Sequence, residues 1–98
     1  MEKKVTVVAR LRAKKGKEVE LKQALMGLLA PTRREEGCIN YDLYESRENA
    51  GLFYFYENWA SGQAIDRHLA SPHIQALLQR AGDLLAEPPD IQKVDAIG

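Results

Sequence analysis

Four stretches of the chain carry hydrophobic patterns that are typical of β-strands. In the first, every second residue from Val5 to Ala13 is apolar, so these side chains fall on one face of an extended segment. The second and third are rich in aromatic residues and flank a short polar loop, which predicts an antiparallel hairpin. The last follows Pro88 and Pro89 near the end of the sequence. The predicted strands are residues 5–13, 38–45, 52–59 and 91–97.

Between these strands, apolar residues recur every three or four positions, the spacing that gathers them on one helical face. The first helix should kink or re-form near Pro31, because proline lacks an N–H and crowds the preceding turn, and should end at residues 35–37. A short second helix opens at Ser61, and a third has Ser71 as its cap and Pro72 as its first residue. The apolar faces are Leu21, Ala24, Leu25 and Leu28 in the first helix, Ala64, Ile65, His68 and Leu69 in the second, and Ile74, Leu77, Leu78, Ala81 and Leu85 in the third.

The predicted elements follow the order βαββααβ, close to the split β-α-β arrangement of ferredoxin-like folds. We therefore predict one α+β domain over residues 1–98, with a four-stranded antiparallel sheet and helices on one face. In the third strand, Phe53 and Phe55 point to one face, whereas Tyr54 and Tyr56 point to the other. Since helices cover one face only, this pattern predicts a homodimer in which two open sheet faces meet. The alternative is that the tyrosines face water.

Composition and charge narrow the possible partners. The 98 residues include 14 basic and 14 acidic side chains, a balance that argues against nucleic acid or an anionic membrane as the main partner. The basic clusters at 3–4 and 14–17 are typical of solvated strand and helix ends. No apolar run approaches the roughly 20 residues of a membrane span, and the first residues do not form a signal peptide, so we expect a cytoplasmic protein. The single cysteine, Cys38, predicts neither an internal disulfide nor a zinc site.

Four segments of the chain carry a resemblance to a known family. In order they are VVARL at 7–11 with Gly16, APTRREEGCINYDLY at 30–44, YENW at 56–59 and HLASPH at 68–73. Their order and spacing resemble antibiotic-biosynthesis-monooxygenase domains over essentially the whole chain. The resemblance implies a dimeric α+β barrel. Members of that family include enzymes that oxidise phenols or quinols with molecular oxygen and without metal or flavin, isomerases of small carbonyl compounds, and haem-degrading enzymes.

The two histidines are the first candidates for chemistry, because the imidazole pKa suits proton transfer near neutral pH. His68 shares a helical face with Ile65 and Leu69, so it is predicted to point inward and to act as a base. The alternative is a histidine at the edge of the core that bonds a backbone carbonyl. His73 lies in the first turn of the next helix, where an exposed or capping role is expected, and it is the second candidate.

The predicted hairpin supplies candidates for substrate binding. Trp59 has a large apolar body and one N–H donor, so it could wall a flat aromatic ligand and bond its oxygen, although a core position is equally compatible with its size. Asn40 and Tyr41 point to opposite faces of their strand. At most one of them can therefore reach a given pocket, and the sequence does not choose between them.

Glu57 lies on the same side of its strand as Phe55, which suggests partial burial. A buried carboxylate needs a partner, and Arg10 or Arg33 could supply it. An ion pair of this kind is a structural role, and the alternative for Glu57 is that of a catalytic acid.

The resemblance to oxygenases implies a mechanism that these groups can perform. His68 would remove a proton from a small dihydroxy-aromatic substrate, and the phenolate would reduce molecular oxygen, the co-substrate, without a cofactor. Trp59 and either Asn40 or Tyr41 would hold the oxyanion. The predicted catalytic residues are His68 and Trp59, and the predicted substrate-binding residues are Asn40, Tyr41, Phe55, Glu57, Leu69, His73 and Leu77.

Two other functions remain open. An isomerase of a small phosphorylated, sugar-like carbonyl compound would use His68 and Glu57 to move protons. Its cationic phosphate site would come from the loose set Arg10, Arg12, Arg33 and Arg67. A non-catalytic protein that binds a small aromatic ligand would need only the same pocket. Haem degradation is disfavoured, because Leu78 and Ala9 align with the haem-binding histidine and asparagine of relatives with that activity.

Overall fold

The computed structural model describes residues 3–98. The strands are β1 (Val5–Arg12), β2 (Cys38–Glu45), β3 (Leu52–Trp59) and β4 (Asp90–Val94), and the helices are α1 (Glu18–Met26), α2 (Leu29–Arg33), α3 (Gly62–Leu69), α4 (Pro72–Gln79) and α5 (Ala81–Leu84). The four strands form one antiparallel sheet in the order β2-β3-β1-β4. This confirms the predicted α+β, ferredoxin-like class.

The register of the two central strands decides which side chains lie beneath the helices. Val7 pairs with Glu57, and Ala9 pairs with Phe55, in the antiparallel ladder between β1 and β3. Residues that lie directly opposite each other point to the same face, and all four side chains are buried. The strand register therefore places the Glu57 carboxylate on the apolar, helix-covered face of the sheet.

The junction between α3 and α4 brings two candidate side chains together. The Ser61 hydroxyl accepts a hydrogen bond from the Ala64 N–H at 3.2 Å and so caps α3, the helix that was predicted to open at this residue. Ser71 occupies the predicted cap position before Pro72, but its hydroxyl donates to the His68 carbonyl oxygen at 2.6 Å and makes no cap bond. This hydrogen bond ties the end of α3 to the start of α4.

The first helical region is interrupted earlier than the sequence predicts. Helix α1 ends at Met26 and α2 begins at Leu29, so the break falls at residues 27–28 and not at Pro31. Pro31 is tolerated because it lies in the first turn of α2, where the backbone N–H groups have no partner within the helix. A second difference concerns β4, which ends at Val94, whereas the prediction extended to residue 97.

The sheet face that points away from the helices, called the open face here, carries exposed apolar side chains. Val8 and Tyr56 are direct neighbours across β1 and β3, and they are 37% and 45% exposed. By alternation along β3, Leu52 falls on the same face as Tyr54 and Tyr56, but it is buried within the protomer. Among the described residues, no helix is long and apolar enough to cross a membrane.

Candidate functional site

A cleft opens between the helix-covered face of the sheet and helices α3 and α4. The space inside it that can hold water-sized molecules is about 40 Å³, and the wider volume of about 450 Å³ includes the solvent at its open mouth. Most of its wall is apolar, as is usual for small-molecule sites, and it also carries a phenol, a carboxylate and an imidazole. Six of the predicted site residues line it: Tyr41, Phe55, Glu57, His68, Leu69 and Leu77.

His68 is held in the cleft by a carboxylate from a distant part of the chain. Its side chain is buried, and its Nδ1 atom lies 2.8 Å from Oε2 of Glu35, which precedes β2. The predicted alternative, a bond to a backbone carbonyl, is wrong. Because an ionised carboxylate accepts hydrogen bonds only, Nδ1 carries the proton in the neutral ring, and Nε2 keeps its lone pair.

The free nitrogen of His68 faces the cleft. Nε2 makes no hydrogen bond with residues 3–98. Among those residues, the fully buried side-chain nitrogen or oxygen atom without a partner is Thr32 Oγ1, so Nε2 is not fully buried. Nε2 therefore touches open space, and His68 lines the cleft. Burial lowers the pKa of His68, although the Glu35 carboxylate opposes this effect. The ring is accordingly neutral near pH 7 and can accept a proton.

Glu35 also binds the second histidine. Nε2 of His73 lies 2.7 Å from the same Oε2 atom that contacts His68, and 3.2 Å from the Ser71 hydroxyl. The expected exposed or capping role of His73 is therefore wrong, and the residue does not line the cleft. It supports Glu35 from the solvent side, because its side chain is more exposed than that of His68.

Glu57 is the second ionisable group of the cleft. Its Oε1 atom accepts a hydrogen bond of 2.9 Å from the Trp59 indole N–H. Burial raises the pKa of Glu57 to about 7, although the indole hydrogen bond acts in the opposite direction. Near neutral pH the cleft therefore holds a carboxyl group that can either donate or accept a proton.

The expected arginine partners of Glu57 are engaged elsewhere. Arg10 donates to Glu87 at 3.0 Å on the open face, and Arg33 donates to the Tyr41 carbonyl oxygen at 3.1 Å. The prediction of an ion pair between Glu57 and either arginine is therefore wrong. Among residues 3–98, no lysine or arginine lines the cleft beside this carboxyl group, so burial raises its pKa without an opposing positive charge.

Trp59 does not have the role that its sequence position suggested. It is fully buried and does not line the cleft, and its single N–H is bonded to Glu57. Because this N–H is occupied by Glu57, the structure gives no support to its predicted bond with a ligand oxygen. The indole packs against the His68 ring with 4.6 Å between centroids, so Trp59 supports both titratable groups from behind.

Of the two neighbouring candidates Asn40 and Tyr41, Tyr41 is the one that lines the cleft. Tyr41 is buried in the cleft wall, where it stacks on Phe55 at 4.6 Å between ring centroids. Burial and the nearby Glu57 charge raise the pKa of Tyr41, so its hydroxyl remains a donor. Asn40 lies on the open face, where its side-chain amide donates to Asp42 at 3.0 Å. It does not line the cleft of its own chain, so its predicted contact with substrate finds no support there.

Gly37 fixes the segment that carries Glu35. Its φ angle is +87°, and a Cβ atom added there would lie 2.6 Å from the Ala64 Cβ in α3. We expect Gly37→Ala to lower the free energy of unfolding by about 2 kcal/mol, because a left-handed backbone is unfavourable for alanine and the helix must also move. Urea unfolding measures this loss. Gly62→Ala is the matched control, since an added Cβ meets no atom there, and an equal loss in both variants would contradict the assignment.

Sequence reasoning missed Glu35. The residue was assigned only to the end of the first helical region, and it lies 33 and 38 positions from the two histidines that it binds. Helical and strand periodicities report local neighbours and carry no information on such distant contacts. The segments REEGC and HLASPH do contain the three residues, so their joint presence is the signal that could have suggested the cluster.

Most of the chain is similar in sequence to known proteins of one family. Residues 4–80 match the family described as antibiotic biosynthesis monooxygenase. The Mycobacterium tuberculosis protein named "Putative monooxygenase Rv0793" is 38% identical over 84 residues, which cover 86% of this chain and 82% of that protein. The Synechocystis protein sll1783 is 31% identical over 90% of this chain, and the match spans 60% of its length.

A solved structure extends this similarity to the whole fold. The crystal structure of PA3566 from Pseudomonas aeruginosa superposes with a TM-score of 0.92 at 31% identity. The superposition covers 100% of this chain and 98% of that chain. The arrangement of sheet and helices around the cleft is therefore shared with a protein of known structure.

Proposed function

Because the chain belongs to the antibiotic biosynthesis monooxygenase family, we propose that its cleft binds a small phenol or quinol and oxygenates it with molecular oxygen and no cofactor. The observation that carries this proposal is the pairing of His68 with Glu35. The 2.8 Å contact leaves Nε2 of a neutral imidazole facing an apolar cleft. This is the arrangement in which a histidine acts as a general base.

The reaction begins when Nε2 of His68 takes the hydroxyl proton of the substrate. The phenolate is electron-rich and reduces oxygen directly, so that a C–O bond forms at a ring carbon that carries hydrogen. The resulting hydroperoxide loses water and leaves a quinone. One oxygen atom stays on the ring, and the other leaves in water with the ring hydrogen and the former hydroxyl proton.

Glu57 provides the complementary proton donor. With a pKa of about 7, a large part of this carboxyl group is protonated at neutral pH. It lines the same cleft as His68, and its bond to Trp59 fixes its orientation. Glu57 therefore protonates the oxygen atom that leaves as water, and its carboxylate then takes the ring hydrogen, which restores the acid and keeps the proton balance. The surrounding apolar side chains keep solvent away from the phenolate.

Oxygen consumption tests the proposal. Untagged protein is incubated with a panel of quinols and dihydroxynaphthalenes, and oxygen uptake is compared with that of buffer alone. We expect uptake well above the buffer rate for at least one compound and a stoichiometric quinone product. Compounds that bind but are recovered unchanged, with no uptake, would replace this proposal with the ligand-binding function.

The isomerase alternative finds less support in the cleft. A phosphorylated substrate needs a cation, and no lysine or arginine lines the cleft within residues 3–98. Of the four candidate arginines, Arg10 and Arg12 both pair with Glu87, and Arg33 pairs with Asp42. Arg67 is exposed on α3.

The open face supports a second proposal, a two-fold homodimer. A second copy would cover the exposed Val8 and Tyr56 side chains, whose neighbour Tyr54 is only partly buried. We expect the wild-type chain of 11.0 kDa to sediment as a dimer, and Tyr56→Glu to shift it to the monomer, because a buried carboxylate at the contact lacks a partner.

Sedimentation equilibrium between micromolar and 100-micromolar protein measures the dimerisation. Val19→Glu is the control, because Val19 is an exposed apolar residue of α1, outside the sheet. A wild-type chain that remains monomeric throughout, or a Tyr56→Glu variant that dimerises as tightly as the wild type, would contradict this use of the open face.

A further inference from the structure

We propose that Glu35, His68 and His73 form a binding site for one divalent transition-metal ion of the Zn²⁺ type. The bound ion prevents His68 from acting as a base. Each residue offers one donor atom, and the three atoms lie within 4.8 Å of one another. Two imidazole nitrogens and one carboxylate oxygen are a donor set that suits zinc and neighbouring divalent metals. The metal site itself does not depend on the proposed function.

The three side chains come from separate elements that are fixed before any ion binds. Glu35 lies in the turn between α2 and β2, where its N–H donates to the Thr32 carbonyl oxygen and its carbonyl oxygen accepts from the Cys38 N–H. His68 and His73 lie on α3 and α4, which the Ser71 hydrogen bond joins. An ion would therefore meet a largely preformed site.

The distances require an adjustment of all three side chains. Oε2 lies 2.8 Å from one imidazole nitrogen and 2.7 Å from the other, with N–H protons in these contacts. Donors around tetrahedral zinc are about 3.3 Å apart, given metal–ligand lengths near 2.1 Å. The glutamate side chain moves away by about half an ångström through its rotatable bonds, and the two imidazole nitrogens, which lie within 4.8 Å of each other, move closer by rotation of their side chains. The ion then replaces the protons that now occupy the centre of the cluster.

The cluster is also open to an ion on one side. The His68 side chain is 3% exposed, but Glu35 and His73 are 16% and 22% exposed. A hydrated ion can approach through these two residues and keep water as its remaining ligand. The carboxylate supplies negative charge, and no lysine or arginine of residues 3–98 is bound to it. Charge, donor type and access therefore all favour a cation at this point.

Binding at Nδ1 changes the chemistry of His68. A neutral imidazole that coordinates a metal through Nδ1 carries its proton on Nε2, and Nε2 is the atom that faces the cleft. The group becomes a donor and can no longer accept a proton from a substrate. On the proposed function, occupation of this site therefore inhibits oxygenation.

The chain allows a clean binding experiment, because it contains two histidines in all and both belong to the cluster. Untagged protein is titrated with Zn²⁺ by calorimetry and with Co²⁺ by visible absorption. We expect one ion per chain at micromolar concentrations. Affinity should fall at least tenfold in His73→Ala and in Glu35→Gln, with loss of the Co²⁺ band. His73→Ala is the main variant because its side chain is partly exposed.

Two controls separate this site from other binding. Cys38→Ser removes the single thiol, and Gln79→Ala alters an exposed residue of α4; both should bind Zn²⁺ as the wild type does. No binding at 100 micromolar Zn²⁺, or full affinity in His73→Ala, overturns the proposal. Calorimetry measures Zn²⁺ binding without any turnover. Zn²⁺ binding without oxygen uptake would therefore support the metal site and reject the proposed function. Oxygen uptake without Zn²⁺ binding would support the proposed function and reject the metal site.

Discussion

Replacing His68 with glutamine should lower the rate of oxygen uptake by a factor of about 100 to 10,000, the usual contribution of a positioned general base. The remaining groups of the cleft replace His68 poorly as acceptors, because Tyr41 is a donor and Glu57, with a pKa of about 7, is only partly ionised at pH 7 and already accepts the Trp59 N–H. Initial rates with the best quinol substrate measure the loss, and thermal unfolding of the same sample verifies that the variant is folded.

Two further variants test whether the loss of rate is specific to the basicity of His68. Arg67→Ala alters an exposed side chain next to His68 on the same helix and should leave the rate unchanged. Glu35→Gln retains an acceptor for Nδ1–H but removes the charge, so its pH–rate profile should shift, because the pKa of His68 falls without the carboxylate. If His68→Gln retained a rate within threefold of the wild type, His68 would not be the base.

Replacing Glu57 with glutamine should stabilise the protein at alkaline pH by about 3 kcal/mol. The pKa of Glu57 is raised from 4.5 to about 7 in the folded state. Between these values the folded state binds more protons than the unfolded state, so the wild-type free energy of unfolding falls as pH rises through this window. Above pH 7 the full destabilisation by a buried charge is present. The glutamine side chain of the variant does not titrate, and its carbonyl oxygen can still accept the Trp59 N–H.

Urea unfolding at pH 4.5, 6 and 8 measures this linkage. The wild type and Glu57→Gln should have similar stability at pH 4.5 and diverge progressively towards pH 8, with the variant more stable. Glu36→Gln, at an exposed carboxylate in the turn before β2, should follow the wild-type curve. Parallel curves for the wild type and Glu57→Gln at all three pH values would show that Glu57 is not desolvated in the folded state.

The sheet was the most predictable part of the molecule. The predicted bounds of β2 and β3 agree with the structure at residues 38–45 and 52–59. Side-chain alternation and the polar loop between the strands are local signals, and both strands have them. The break before α2 was misplaced because Pro31 was treated as interior to a helix, whereas it lies in a first turn that tolerates it.

The sequence predicted the direction of a site residue where the periodicity of a single helix or strand determines that direction. The inward direction of His68 followed from the helical spacing of α3, and the cleft position of Glu57 followed from strand alternation. The partners of these groups did not follow, because Glu35 reaches His68 across 33 positions of sequence. Arginine was the expected partner for Glu57 on charge alone. The structure instead gives the carboxyl group a hydrogen bond from the Trp59 indole, and burial raises the pKa of Glu57 although this hydrogen bond opposes the rise.

The central claim is that this cleft transfers one atom of molecular oxygen to an aromatic ring without a cofactor. The most direct test incubates metal-stripped, untagged protein with a quinol under ¹⁸O₂ and analyses the product promptly by mass spectrometry, with His68→Gln in parallel. We expect the wild-type product to gain one labelled oxygen atom, and the variant to yield little of it. An unlabelled quinone accompanied by hydrogen peroxide, or labelled product formed equally by the variant, would contradict the account.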